Sequence, residues 1–462
     1  MSAAGAHSAK KSADRLGTEN VGRLVAGFAL TALAGLLLNS VYSLTDALFV
    51  AWGVGDTAMG GVSAVYPFVI LQGAISTAIG GGAASIVSRR LGCGDDKGAA
   101  RATLSAMTAF YLTALAVTAV GFAAMPSLLA GMGATGDLAP HAKTYFTIIL
   151  AGNVFSTGFS SIIRAEGKNV YSLLIWVIPV TLNIVLDAVF ILALGWGVAG
   201  SAAATVMSQF VSFAMSVLFF TRFSSLSFSG VRPSLRDIGS IFAIGVPSLI
   251  QMGTLSLISL IINSVLSKID GETGVTAFGY MNRIITLAVV PFTAAAQALA
   301  PVVGYNYGAG KGGRARTAAR LCLLIALSCA AAAFVIGESI PGLLMRIFTS
   351  DARLVAYGAR GMRIAAPALL FMPVPLIAGA ALQATGRKIL SAAFFAVNFL
   401  LFLPLSFGLS SALGADGLWT AYALSAAAAA AAVGVSLLLP SVRARCGLSF
   451  CAPPYLRRPH SV

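Results

Sequence analysis

The sequence predicts an all-α polytopic membrane protein, with twelve transmembrane helices in two six-helix lobes related by a pseudo-two-fold axis along the membrane normal. Three observations predict it. Of 462 residues, 58% are hydrophobic and only 10% charged, against about 25% charged in a soluble domain. So few charges cannot cover a water-facing surface on so long a chain. Apolar stretches able to cross ~30 Å of hydrocarbon recur along the whole sequence. The two halves of the chain also echo each other.

Taken in order, residues 1–20 (MSAAGAHSAKKSADRLGTEN) are small and polar. No apolar core follows the early lysines before the first long helix, so they read as a disordered cytoplasmic tail rather than a signal peptide. The apolar stretches then fall at 22–52, 59–90, 99–124, 140–163, 169–195 and 198–221, an N-lobe over 21–221. A polar, basic segment at 222–237 reads as the cytoplasmic linker. The C-lobe over 238–440 carries 238–267, 274–307, 317–337, 354–383, 389–412 and 417–440, and 441–462 is a cytoplasmic C-terminal tail. Turns at Gly195-Trp196-Gly197 and Gly414-Ala415-Asp416-Gly417 separate neighbouring spans.

Charge sets the orientation. The formal net charge is +15, which in a soluble protein would suggest nucleic acid. Here one set of loops holds most of the basic residues, among them Lys10, Lys11, Arg15, Arg89, Arg90, Lys97, Arg101, Arg164, Lys168, Arg222, Arg232, Arg236, Lys311, Arg314, Arg387 and Lys388. The opposite set holds fewer: Lys143, Lys268, Arg346, Arg353, Arg360 and Arg363. Basic loops stay inside. Both termini are therefore expected in the cytoplasm, with the chain in a bacterial inner (plasma) membrane and no nucleic acid as partner.

The repeat is carried by matched segments. Ser88-Arg89-Arg90-Leu91-Gly92-Cys93-Gly94-Asp95 closes the second span, and Gly304-Tyr305-Asn306-Tyr307-Gly308-Ala309-Gly310-Lys311 closes the eighth. Arg164-Ala165-Glu166-Gly167-Lys168 follows the fourth span, and Gln383-Ala384-Thr385-Gly386-Arg387-Lys388 follows the tenth. Six spans per half put both halves in the same orientation, as parallel repeats.

Ionisable groups within a span mark function, because each costs several kcal/mol in hydrocarbon. Nearly all acids fall in tails, loops or helix ends; only Asp46 and Asp187 lie well inside apolar spans. At about 1.5 Å per residue, both sit ~10–12 Å below the outer surface. Asn183 precedes Asp187 by one turn; Tyr42 and Asn39 precede Asp46 by one and two; Thr205 reaches a similar depth in the sixth span. Two carboxylates, an amide and hydroxyls at one level suit a hard cation such as Na⁺, or a proton shared between the acids. The alternative is that the aspartates only tie helices together. The second half has no counterpart: Ser406 falls near the position matching Asp187. Arg283, inside the eighth span, either faces a central cavity or snorkels.

Other features exclude chemistry. Five cysteines (Cys93, Cys322, Cys329, Cys446, Cys451) lack metal-ligand spacing, and His7, His141 and His460 fall in tails or a loop. A membrane-embedded enzyme would need a nucleophile–base pair or metal ligands, so none is expected, and no cofactor. Gly80 to Gly82 lie within a span with no P-loop lysine after them, and read as a packing site.

Val41 to Val50 (VYSLTDALFV), Ser88 to Asp96, Ile163 to Lys168 (IRAEGK), Leu182 to Phe190 (LNIVLDAVF), Gly195 to Gln209 and Pro301 to Lys311 (PVVGYNYGAGK) together resemble the multidrug and toxic compound extrusion (MATE) transporters. The likeness is to the bacterial branch that contains the DinF and MepA proteins. It implies export of cationic, amphipathic organic compounds in exchange for Na⁺ or H⁺ by a chain acting as a monomer. It also implies a coupling site at Asp46, Asn183, Asp187 and Thr205, with Na⁺ held by those four if Na⁺ is the ion. Substrate contacts would fall on Tyr42 and Asn39. Ser161 stands where many members carry asparagine, and Arg283 is a further candidate contact. One departure concerns the helix-one proline common in the family: Leu30 to Ala34 holds none. The runner-up reading is a flippase for a lipid-linked or polysaccharide precursor. That activity would want several basic residues in the cavity, where this chain offers Arg283 and at most Arg363 beside it.

Overall fold

The computed structural model describes residues 15–132, 138–155, 158–349 and 351–438. Within them the regular structure is all helix, with no strand. Among the described residues, eleven helical stretches are long and apolar enough to cross a membrane. The last, Lys388–Leu438, is two spans run together: Gly414 interrupts it with φ 62° and ψ −138°. A residue without a Cβ takes that left-handed φ at little cost, so the expected eleventh and twelfth spans are both present. Gly195 and Gly197, with φ of 66° and 58°, form the expected turn between the fifth and sixth spans.

The fourth and tenth spans are among those interrupted. The fourth runs Leu138–Gly152, then a 3₁₀ turn Asn153–Phe155, then Phe159–Ala165. The tenth is cut into Ala352–Ala365, Pro367–Phe371 and Pro373–Ala384. Pro367 and Pro373 each remove a backbone donor there. Hydropathy alone does not register the break in the fourth span, while the prolines within the tenth were expected to allow a kink. Breaks at matching positions are the structural trace of the sequence repeat.

The chain divides into two compact units. The first comprises Met1–Thr18 and Ala34–Gly245, the second Glu19–Leu33 and Val246–Val462. These bounds differ from the sequence expectation. Residues 15–18 are helical, and Leu16 is buried, so the last part of the expected tail is ordered. The 222–237 segment, expected as a linker, is anchored along its length. Phe219–Phe223 extends the sixth span as a π-turn. The Ser234 N–H donates to Ser105 Oγ at 2.9 Å. Ser224 and Ser225 hold Glu166. The tails at 1–14 and 441–462, with His7, His460, Cys446 and Cys451, lie outside the described residues.

Each unit has its own core. In the first, Val62, Phe68, Phe146, Leu150, Ile191 and Val198 pack together, with Phe68 and Phe146 edge to face at 4.8 Å. In the second, Ile262, Leu266, Met281, Met362, Phe402 and Trp419 do the same. Large apolar side chains are widely exposed, including Leu30, Leu115, Val120 and Leu260. That pattern is the reverse of a soluble surface and fits one solvated by lipid tails. Gly80 and Gly82 pack as expected. A Cβ on Gly80 would stand 3.0 Å from the Gly158 carbonyl oxygen, and one on Gly82 would collide with the Ile241 carbonyl.

Candidate functional site

The candidate site lies in the first unit, where the first helix (Val21–Gly53) meets the fifth span (Asn169–Ala193) and the sixth (Gly197–Phe223). The fifth and sixth spans pack along each other. The run Gly200-Ser201-Ala202-Ala203-Ala204 keeps the sixth span thin on the contact face, and Gly200 lies against Phe190. Helical spacing then stacks the polar groups. Asn183 and Asp187 share one face of the fifth span, and Ser201 and Thr205 one face of the sixth, each pair four residues apart.

Asp187 and Ser201 are fully buried, Asn183 nearly so, and Thr205 is 8% exposed. The hydrogen-bond network assigns the Asn183 amide so that its nitrogen donates to Asp187 Oδ2 at 2.9 Å and its oxygen accepts from the Thr205 N–H at 3.2 Å. Ser201 Oγ donates to Asp46 Oδ1 at 2.9 Å. The two carboxyl groups are within hydrogen-bonding reach of each other. Asp187 Oδ1 meets no donor among the described residues. The cluster thus presents one buried carboxylate oxygen still wanting a positive partner, which a shared proton or a cation would supply.

Immediately after Asp187 the helix loosens into a π-turn, Ala188–Ala193. Such turns add a residue to the helix and re-aim the side chains on either side. Phe190, within this turn, stacks on Trp196 at 4.8 Å.

All four expected coupling residues are therefore brought together. Ser201 is the member that sequence reasoning missed. Its signal was present: it lies one turn from Thr205 on the same face, at the level of Asp46. The expected substrate contacts fare differently. The side chains of Asn39 and Tyr42 lie outside the described residues. Ser161 is in the last segment of the fourth span (Phe159–Ala165), within 3.5 Å of an Arg164 nitrogen, and is not drawn to the acids. Arg283, in the second unit, is exposed. Ser406, at the repeat position of Asp187, is buried and turns its hydroxyl back to the Leu403 carbonyl at 2.8 Å.

A second polar group surrounds the break in the fourth span. Gln72 Nε2 donates to Asn153 Oδ1. Asn153 Nδ2 donates to the Ala114 carbonyl at 3.0 Å and Thr118 Oγ1 at 3.1 Å, and Thr118 donates to the Leu150 carbonyl. Each donor here finds an acceptor, which is what buried polar atoms require in hydrocarbon. Gln72, Ser76, Thr113 and Asn153 line a small cavity beside it. A third group is the loop after the fourth span. Glu166 is fully buried there and accepts from Ser224 Oγ, Ser225 Oγ and the Ser225 N–H at 2.9–3.0 Å. Burial pushes its carboxyl up to about 7, against the opposing pull of those donors and Lys168.

The fold and the site define a polytopic membrane transporter of two units with a buried acidic cluster in one of them. A MatE family model matches residues 32–189 and 247–407, over half of the chain, and this chain belongs to that family, the MATE transporters. The multidrug export protein MepA of Staphylococcus aureus (strain NCTC 8325 / PS 47) is 23% identical over 424 residues, 89% of this chain and 92% of its own. The MepA protein of Staphylococcus saprophyticus is 22% identical over 421 residues, again 89% and 92%. A solved MOP superfamily transporter from Pyrococcus furiosus has the same fold, with a TM-score of 0.86 at 24% identity, over 94% of this chain and 98% of that one.

Proposed function

We propose that this chain is a secondary active multidrug efflux antiporter of a bacterial inner membrane. It exports cationic, amphipathic organic compounds in exchange for H⁺ or Na⁺ by alternating access of two lobes, with both termini cytoplasmic. The observation that carries the reading is the cluster of half-buried Asp46 with buried Asp187, Asn183, Thr205 and Ser201 in one unit, with an Asp187 oxygen that meets no donor among the described residues. Family membership and the MepA relatives, named as multidrug exporters, support the substrate class. The cytoplasmic placement of the termini rests on the bias of basic residues.

The site is able to exchange charge for charge. Two carboxylates buried together in hydrocarbon are costly unless neutralised. A proton or Na⁺ entering from outside relieves that cost in one arrangement of the protein, and an organic cation relieves it in the other. Each ligand shifts the balance only by its difference in affinity between the two arrangements. Moving a population from 1:99 to 99:1 takes about 10⁴-fold in that difference, within reach of a charge that binds unpaired carboxylates.

The test is export of a cationic dye by purified protein in proteoliposomes, with a pH gradient and a Na⁺ gradient imposed in separate experiments. Export driven by at least one gradient is expected, and names the ion. Export driven by neither contradicts antiport.

A further inference from the structure

The seventh span is a single helix, Leu235–Ile269, yet it belongs to two units: Leu235–Gly245 counts with the first, and Val246 onward with the second. What holds the first stretch is specific. Asp237, 6% exposed, takes both terminal nitrogens of Arg90 at 2.8 and 3.0 Å, and Arg101 Nε at 3.3 Å. Arg90 also donates to the Gly98 carbonyl at 2.6 Å. Further along, the backbones touch. A Cβ on Gly82 would collide with the Ile241 carbonyl, and one on Gly245 with the Ala78 carbonyl. The changeover comes at Gly245–Val246, and Pro247 follows at once, inside the helix.

The first helix repeats the arrangement in reverse. Its Glu19–Leu33 part counts with the second unit and the remainder with the first. Arg314 Nε donates to the buried Asn306 Oδ1 at 3.1 Å, and Arg314 Nη2 to the Glu19 carbonyl. Its changeover, at Leu33–Ala34, has no proline near it.

We propose that the start of the seventh helix is a strap carried permanently by the first unit, and that this helix hinges at Gly245–Pro247 as the units move. The inference rests on the alternating-access reading above. Two ways of moving compete. The strap detaches, or the helix bends. Detachment strips a two-arginine, bidentate clamp from a nearly buried carboxylate and parts backbones packed at van der Waals contact. Breaking a buried pair leaves an uncompensated charge. Bending at Pro247 costs less, because proline already lacks the N–H that would bond four residues back, and kinks in helices concentrate at proline. The first helix has the same double membership and no such weak point, so the articulation falls on the seventh.

The test places spin labels at exposed Lys97, Arg236 and Lys268, in an otherwise cysteine-free full-length chain in proteoliposomes, with dye export measured on the same samples. As pH, Na⁺ and dye are varied, the Lys97–Lys268 distance is expected to shift while Lys97–Arg236 stays constant. In parallel, Pro247→Ala restores a helical hydrogen bond and is expected to slow export about tenfold, the factor one net hydrogen bond is worth, with dye affinity unchanged. If Lys97–Arg236 shifts together with Lys97–Lys268, the strap detaches and the hinge is wrong, while antiport stands. Full export by Pro247→Ala also overturns the hinge. If no pair shifts and no dye is exported, the alternating-access reading falls and the hinge with it.

Discussion

Replacing Glu166 with glutamine separates the charge of this buried carboxyl from its shape. The Glu166 carboxyl is pushed from 4.5 up to about 7, chiefly by burial. A group whose folded value is raised binds its proton more tightly folded than unfolded. Below about pH 4.5 both states are protonated and nothing is lost. Between about 4.5 and 7 the unfolded chain ionises first, so stability falls with rising pH, and above about 7 the loss is complete. A shift of this size corresponds to about 3 kcal/mol at roughly 1.4 kcal/mol per unit. For a cooperative unit of 150–250 residues that is roughly 6 °C or more in melting temperature. Glu166→Gln keeps the shape and stays neutral. The assay is a tryptophan-fluorescence melt of both proteins in detergent at pH 5 and pH 8. The variant is expected to match the protein near pH 5 and to melt several degrees higher at pH 8. An equal difference at both pH values would refute the burial argument.

Three further outcomes are expected. Ser201→Ala removes the donor to Asp46 and should lower gradient-driven export about tenfold, with the melting temperature little changed; equal export in the same vesicles counts against the contact. Arg90→Ala leaves nearly buried Asp237 with Arg101 alone and should destabilise by about 3 kcal/mol, while the apolar double replacement Arg90→Met/Asp237→Leu recovers most of it; the same melts report both. Asn153→Ala strips partners from Gln72 and Thr118 around the broken fourth span and should cost about 2 kcal/mol, a loss that a melt unchanged from the parent would exclude.

Much of this was legible in the sequence because membranes impose few solutions. Lengths of apolar run gave the spans, and Gly195, Gly197 and Gly414 marked turns that only a positive φ satisfies. Depth and four-residue spacing were enough to gather Asp46, Asn183, Asp187 and Thr205, since a helix fixes both. Ser201 was missed because serine is common in such helices and its partner sits on another chain segment. The break at Asn153 was missed because hydropathy averages over it, whereas Pro367 and Pro373 were legible as prolines inside a span that allow a kink. The double membership of the first and seventh helices was also out of reach. It depends on backbone contacts such as Gly245 against Ala78, which a local pattern does not encode. That the polar 222–237 linker is anchored was not legible, because its anchors, Glu166, Ser105 and Arg90, are far away in sequence.

The claim that Asp46 and Asp187 couple ion entry to drug exit is tested most directly by the double variant Asp46→Asn/Asp187→Asn. Cationic-dye export is measured in proteoliposomes under whichever gradient drives the parent protein, with dye binding measured alongside. The account predicts that the variant folds, binds dye and no longer exports it against the gradient. Export at the parent's rate, with the same dependence on the imposed gradient, would contradict it.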